Sequence, residues 1–380
     1  MYSDALASEV DEQGQTYVLA AWKTPDIEAP PLFATLRFAA NGAASVVDLN
    51  FANEDRHRLD HLRVRGGTLA IGGTVGGPHY DLPLEVDPYQ ILVLGFLTDG
   101  TSLFQWTGPD GTTGGPVDVC ADGTVVAAGV QGDATILVKI QGDGSTLWQT
   151  SLTHTSPTKV RCGGDNEVRL SGIATDGSAT AVAAQYDASG TLVWSWGGAE
   201  TGMTTLTFDI DAAGDLVLAG TRSIAGESVA QAYAVASGGA LQWSWNSAGP
   251  SDFAVSVAAD DAGGAVLAGW TGSKSGTSYP ATFALDASGR LRWSQVSTSV
   301  GFAVGVSLDR AGNAFVCEGS NTGQGTVALY GRQGSTRWSD ALPSPFLPVA
   351  SDVTNGVGRC IGTYASSTAS NVELIGFKVR

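Results

Sequence analysis

The chain has 380 residues, 51 of them glycine, with 43% hydrophobic and only 15% charged. Its 37 acidic and 20 basic residues give a formal charge of −17, a field that repels phosphate backbones and argues against nucleic-acid binding. No apolar run reaches the length of a membrane span, and glycine scattered among β-branched and aromatic residues indicates many turns between short strands.

The N-terminal stretch "MYSDALASEV" has neither a basic n-region nor an apolar h-region. Few lysines, abundant Ser, Thr and Gly, and an all-β pattern favour an exported protein (extracellular, cell-surface or periplasmic) with its signal removed over a cytosolic one. Further along, a second-strand element recurs: "YVLAAW" (17–22), "LAIGGT" (69–74), "VVAAGV" (125–130), "VRLSGI" (168–173), "LVLAGT" (216–221), "AVLAGW" (265–270), "AFVCEG" (314–319) and "RCIGTY" (359–364). These copies define eight units, at 1–50, 56–108, 115–152, 157–198, 203–247, 252–297, 301–341 and 347–380. The sixth shows the pattern: "FAVSVAAD", the turn "DAGG", "AVLAGW", a loop, "ATFALD", the turn "ASG" and "RLRWSQV". Short β-rich runs between Gly/Asp turns read as consecutive hairpins.

Trp106, Trp148, Trp194, Trp243, Trp293 and Trp338 follow one another at 42, 46, 49, 50 and 45 residues. Five of them lie four residues after a turn glycine: Gly144, Gly190, Gly239, Gly289 and Gly334. A period near 45 residues of β structure is that of propeller blades. The spacing predicts one all-β domain, an eight-bladed β-propeller of four-stranded antiparallel blades, the last with three strands. The ring then closes by packing between units 1 and 8, or a strand has been lost. Trp194 and Trp196 share a strand face, as do Trp243 and Trp245, and all are expected to pack between blades.

The motifs "LDASGRLRWS", "YDASGTLVWSW" and "DAAGDLVLAGT" resemble the bacterial β-propeller repeats called SBBP repeats. They are also similar to pyrroloquinoline-quinone-like repeats, whose blades end in a comparable Gly-x-x-x-Trp element. The resemblance spans almost the whole chain and implies fold rather than activity. Eight-bladed quinoprotein-like propellers include dehydrogenases, typically with adjacent cysteines near the cofactor, and a non-enzymatic outer-membrane assembly lipoprotein. This chain has no Cys-Cys pair, so no quinone or other cofactor is expected.

The segment "EDRHRLDHLRVR" (54–65) is the main departure from the repeat. Loops joining fourth to first strands, and second to third, emerge on one face, where length varies and binding is expected. Arg56, His57 and Arg58 should share that face with His79, Tyr80 and Asp81, forming a candidate polar rim with Asp55, Glu85 and Asp87. His beside carboxylates suits acid–base work or metal binding. Trp22 and Trp270, read at one register where the second strand enters its loop, are candidates for stacking on a sugar or a partner side chain.

Cys120 and Cys162 read as equivalent first-strand positions of units 3 and 4, and Cys317 and Cys360 as equivalent second-strand positions of units 7 and 8. Disulfides across adjacent blades suit an exported protein, yet equivalent residues point the same way round, so buried thiols remain the alternative, most of all for the outer pair. No zinc spacing is present, and the turn "DIDAAGD" lacks the alternating oxygen ligands of a calcium loop. The expected role is a non-catalytic binding or scaffolding propeller engaging a protein or glycan through its loop face. The alternatives are a hydrolase or lyase acting on polysaccharide or peptide at unit 2, and a lectin.

Overall fold

The computed structural model describes residues 2–23, 32–39, 43–47, 57–78, 86–249, 251–272, 276–320, 324–344, 346–354, 357–365 and 370–378. They form eight antiparallel sheets at 2–47, 58–107, 112–153, 155–197, 203–246, 252–296, 302–341 and 346–378. In every sheet the strands pair in chain order, four in each of the first seven and three in the last. The protein is an eight-bladed β-propeller. Its chain forms two compact units, one of residues 1–177, 183–195 and 369–371, the other of residues 178–182, 196–368 and 372–380.

Local chemistry sets each blade. Asp211 Oδ1 accepts the N–H groups of Ala213 and Asp215, both at 2.9 Å, and Asp309 Oδ1 those of Ala311 and Asn313 at 2.8 and 2.9 Å. The aspartate thus folds its own turn, and the glycine three residues on supplies the left-handed conformation, φ 81° at Gly214 and 74° at Gly312. Second strands are buried over successive residues, as in Leu216–Ile224 and Ala265–Gly272, because both their faces meet protein. Fourth strands such as Leu192–Gly197 alternate between exposed and half-buried positions.

First strands carry a bulge at a recurring place, for instance between Leu59 and His61, Ala254 and Ser256, and Ala303 and Gly305. The bulge explains the glycine of the second-strand element. A β-carbon at Gly73, Gly269 or Gly362 would overlap the carbonyl oxygen of Arg58, Phe253 or Leu347. It also corrects the alignment, since "YVLAAW" and "RCIGTY" begin one residue late. Ala20, paired with Ala5 before its bulge, holds the place of Gly269, paired with Ala254 before its own. Trp22 pairs with Ser3 and matches Thr271, while Trp270 matches Ala21. The two tryptophans therefore do not share a register.

The same one-residue correction applies to the cysteines, which the structure joins as Cys120–Cys162 and Cys317–Cys360, with Cα separations of 5.0 and 5.9 Å. Val119 ends its strand pairing as Cys162 does, so Cys120 lies one position beyond. Cys317 faces Gly305 just after the bulge, where blade 8 has Ile361 facing Ala350, so Cys360 lies one position earlier. An odd offset turns the two side chains to opposite faces of their sheets, and so toward each other across adjacent blades.

The Gly-x-x-x-Trp element joins consecutive blades. A β-carbon at Gly190 would lie 2.6 Å from the Trp148 ring of the preceding blade, and one at Gly334 2.6 Å from the Trp293 ring. Trp148 Nε1 donates to Ala188 O at 2.9 Å and Trp293 Nε1 to Arg332 O at 3.0 Å, in both cases two residues before that glycine. In blade 2, however, Phe104 holds this position, with Gly144 of blade 3 against it. Trp106 takes the next inward-facing place, which Trp245 takes in blade 5, and is not a member of the first series. Trp196 packs on Tyr233 at 5.0 Å between centroids and Trp245 on Phe283 at 5.5 Å, so both are packing residues.

Candidate functional site

The anomalous segment of blade 2 divides in two. Arg56, His79, Tyr80 and Asp81, with Asp55 and Glu85, lie outside the described residues, as do the side chains of Trp22 and Asp87. His57 is buried ahead of the strand Arg58–Arg65. The Arg58 side chain is 84% exposed, with Nε 3.7 Å from Asp60, and so is solvated.

The rest of the segment fastens first strands together. His61, Arg63 and Arg65 alternate along one face, opposite the buried Leu62 and Val64. Arg63 pairs with Glu9 of blade 1, and its Nε is 3.8 Å from Asp118 of blade 3. Arg161 of blade 4 reaches the same carboxylate at 3.4 Å, and Asp118 Oδ2 accepts the Cys162 N–H at 2.7 Å. Arg65 Nη1 donates to Cys162 O at 3.2 Å. Burial, then the Arg161 charge, pushes the Arg63 pKa down against the pull of Glu9 and Asp118. Burial also lowers the pKa of His61, with Asp60 opposing, so His61 is neutral at neutral pH. Arg63 and Arg65 thus serve contacts between blades.

Trp270 lies in a different setting. It pairs across strands with Phe253, the rings stacked at 4.7 Å and 18°, and Phe302 of blade 7 meets it edge-on at 6.3 Å and 71°. With Val255, Ser278, Ala303 and Val304, the rings of Trp270 and Phe302 line a cleft of about 480 Å³, and Phe253 backs the Trp270 ring. Val255 and Val304 are the unpaired residues of the two first-strand bulges, which turn them into the cleft. Ser278 supplies the one polar side chain other than the Trp270 indole N–H. Among the described residues the lining holds no acid, base or metal ligand, and its walls suit an apolar group. Phe253 and Phe302 escaped the sequence reading, although "FAV" opens the first strand of both units (253–255 and 302–304).

A second cleft, of about 470 Å³, lies among the turns at the other end of blades 6 and 7. Its buried carboxylate, Asp260, is shared by Arg292 and Arg332 at 3.5 Å each. Asp260 Oδ1 also accepts the Ala262 N–H at 3.1 Å, so this charge is already employed in holding the turns together.

No family model matches the chain. No curated protein matches it. Among solved structures, the Dos1 propeller aligns over 95% of this chain and 90% of its own, with a TM-score of 0.63 and 10% identity. A protein from Lactobacillus plantarum aligns over 88% and 98%, with a TM-score of 0.55 and 16% identity. Sqt1 from Chaetomium thermophilum, bound to the N-terminus of the ribosomal protein L10, aligns over 82% and 84%, with a TM-score of 0.55 and 13% identity. Identities this low carry fold and nothing finer, and the fold they share with this chain is the β-propeller.

Proposed function

We propose that this chain is a non-catalytic docking propeller that holds a protein partner by burying a large apolar side chain in the cleft of Trp270 and Phe302. The observation that carries this reading is the cleft's composition: the rings of Trp270 and Phe302 and two bulge-directed valines beside a single hydroxyl. A sugar platform needs a free aromatic face rimmed by hydrogen-bonding groups, whereas one face of Trp270 is taken by Phe253. The net charge of −17 favours a partner segment with Lys or Arg beside its apolar anchor. Sqt1, a propeller of similar fold, is described bound to the N-terminus of another protein. We read the repeats as SBBP-like on their Gly-x-x-x-Trp element. We read the protein as exported, which two interblade disulfides support.

The test is selection of a displayed peptide library against the whole chain. Enriched peptides should share one large apolar residue flanked by basic ones. Their affinity, measured by fluorescence anisotropy, should fall at least about 30-fold on Trp270→Ala, the loss of a central anchor contact. Arg332→Ala, among the turns at the other end, should leave it unchanged. Peptides that bind the Trp270 variant as well as the parent, or a screen that enriches none, would refute the proposal. Binding to an oligosaccharide array through Trp270 would make the protein a lectin.

A further inference from the structure

We infer that Glu318 makes the Trp270 cleft pH-gated: with its carboxyl protonated, blades 6 and 7 stay closed beneath the cleft, and ionisation loosens them and releases the bound group. The inference rests on the cleft being the docking site.

Glu318 occupies the second-strand position that is glycine in six blades (Gly73, Gly129, Gly172, Gly220, Gly269 and Gly362) and Ala20 in blade 1. It therefore places a long acidic side chain where the fold elsewhere has almost none. That side chain is buried, with 4% of the residue exposed. Glu318 pairs in register with Ala303, which lines the cleft, so the two side chains share the sheet face turned to blade 6 and the acid stands beside that wall. Ala303 itself packs into the core cluster shared with Ala258, Val266 and Ala268 of blade 6.

The groups that reach the carboxyl are hydroxyls: Ser297, just after the fourth strand of blade 6, and Thr326 and Tyr330 on the third strand of blade 7. Tyr330 Oη lies 3.4 Å from Oε1, and the Tyr330 ring packs on Trp293 of blade 6 at 5.8 Å. Tyr330 is the titratable group facing Glu318, and burial followed by the Glu318 charge pushes its pKa up, so it stays neutral and only donates. Burial pushes the Glu318 pKa up to about 7, against the downward pull of those hydroxyls. The ionised form must be solvated, and parting blade 6 from the Ala303 wall admits water to it.

The experiment has two arms, each on the full chain and on Glu318→Gln. The first is hydrogen–deuterium exchange at about pH 5.5 and about pH 8.5, corrected for intrinsic rates, in peptides covering 252–259, 265–272 and 302–308. The parent should exchange about tenfold faster at the higher pH in these peptides alone, and the Gln variant equally at both. The second is titration with bis-ANS, an apolar dye, with Trp270→Ala as control. Parental affinity should weaken about tenfold over the same range, and that of the Gln variant should not. Flat exchange in the parent, or equal pH dependence in parent and variant, overturns the gating whatever the dye does. Dye that ignores Trp270→Ala, with gated exchange intact, overturns the docking reading instead.

Discussion

The contact between a turn glycine and the tryptophan of the preceding blade carries a measurable share of stability, and Gly334→Ala isolates it. Gly334 adopts φ 83°, and an added β-carbon would sit 2.6, 2.8 and 2.9 Å from Cγ, Cβ and Cδ2 of Trp293. Two penalties follow. Holding alanine in the left-handed region costs about 1–2 kcal/mol. Forcing a methyl into a tryptophan whose own Cβ is in the way costs about 1–3 kcal/mol, as overpacking does. Gly123→Ala is the matched control, with φ 81° and nothing within 4 Å of its β-carbon, so it meets the first penalty alone. Urea unfolding followed by circular dichroism and tryptophan fluorescence should show Gly334→Ala costing about 2–5 kcal/mol and Gly123→Ala about 1–2 kcal/mol. In a Trp293→Gly background the excess should vanish, since every atom that obstructs the methyl is gone. Equal costs for the two glycine variants, or an excess that survives removal of Trp293, would refute the account of the repeat given above.

Other expectations concern charge and covalent links. Glu318 has a folded pKa of about 7 against an ordinary 4.5, so its burial is free of penalty below pH 4.5 and costs progressively more as pH rises to about 7. Glu318→Gln should therefore match the parent near pH 4.5 and exceed it by up to about 3 kcal/mol above pH 8, read as the urea midpoint across pH. Each disulfide closes a loop of about 40 residues, spanning 42 and 43 positions. Replacing either pair with serine should lose about 4 kcal/mol on the chain-entropy account, and alkylation before reduction should label no cysteine.

The repeat was legible because its signals are compositional: a glycine at every turn, a tryptophan four residues on, a small-residue run in every second strand. Register was not. Aligning "YVLAAW" with "AVLAGW" shifts nothing in composition, yet it moves Trp22 by one residue, which in a strand means the other face. The cysteines show the same limit. Read as equivalent they point the same way, and read one position apart they meet. The bulge that fixes the true register is a backbone event, visible in sequence only through the glycine opposite it. Phe104 was hidden for a related reason, since Trp106 two residues on kept the period intact. The unit-2 cluster stands out by its charge, but two of its basic residues, Arg63 and Arg65, are absorbed into contacts between blades. Phe253 and Phe302 carried no charge and no oddity, and their signal was only a repeated tripeptide.

The cleft depends on substitutions in two adjacent blades at one register. After the second-strand glycine, other blades carry Thr74, Val130, Ile173 or Thr221, and blade 6 carries Trp270. A ring there needs space, and blade 7 supplies it by having Gly319 at the matching place, so that Phe302 folds over its own second strand. A β-carbon at Gly319 would lie 2.9 Å from Cε2 and 3.2 Å from Cζ of Phe302, the free end of a side chain that can swing. Gly319→Ala should thus displace the Phe302 ring at little cost to stability, within about 1 kcal/mol, and alter the wall that faces Trp270. Bis-ANS affinity should fall while the melting temperature holds. If the dye binds the Gly319 variant as it binds the parent, then Phe302 is not a wall of the site, and the cleft is defined by blade 6 alone.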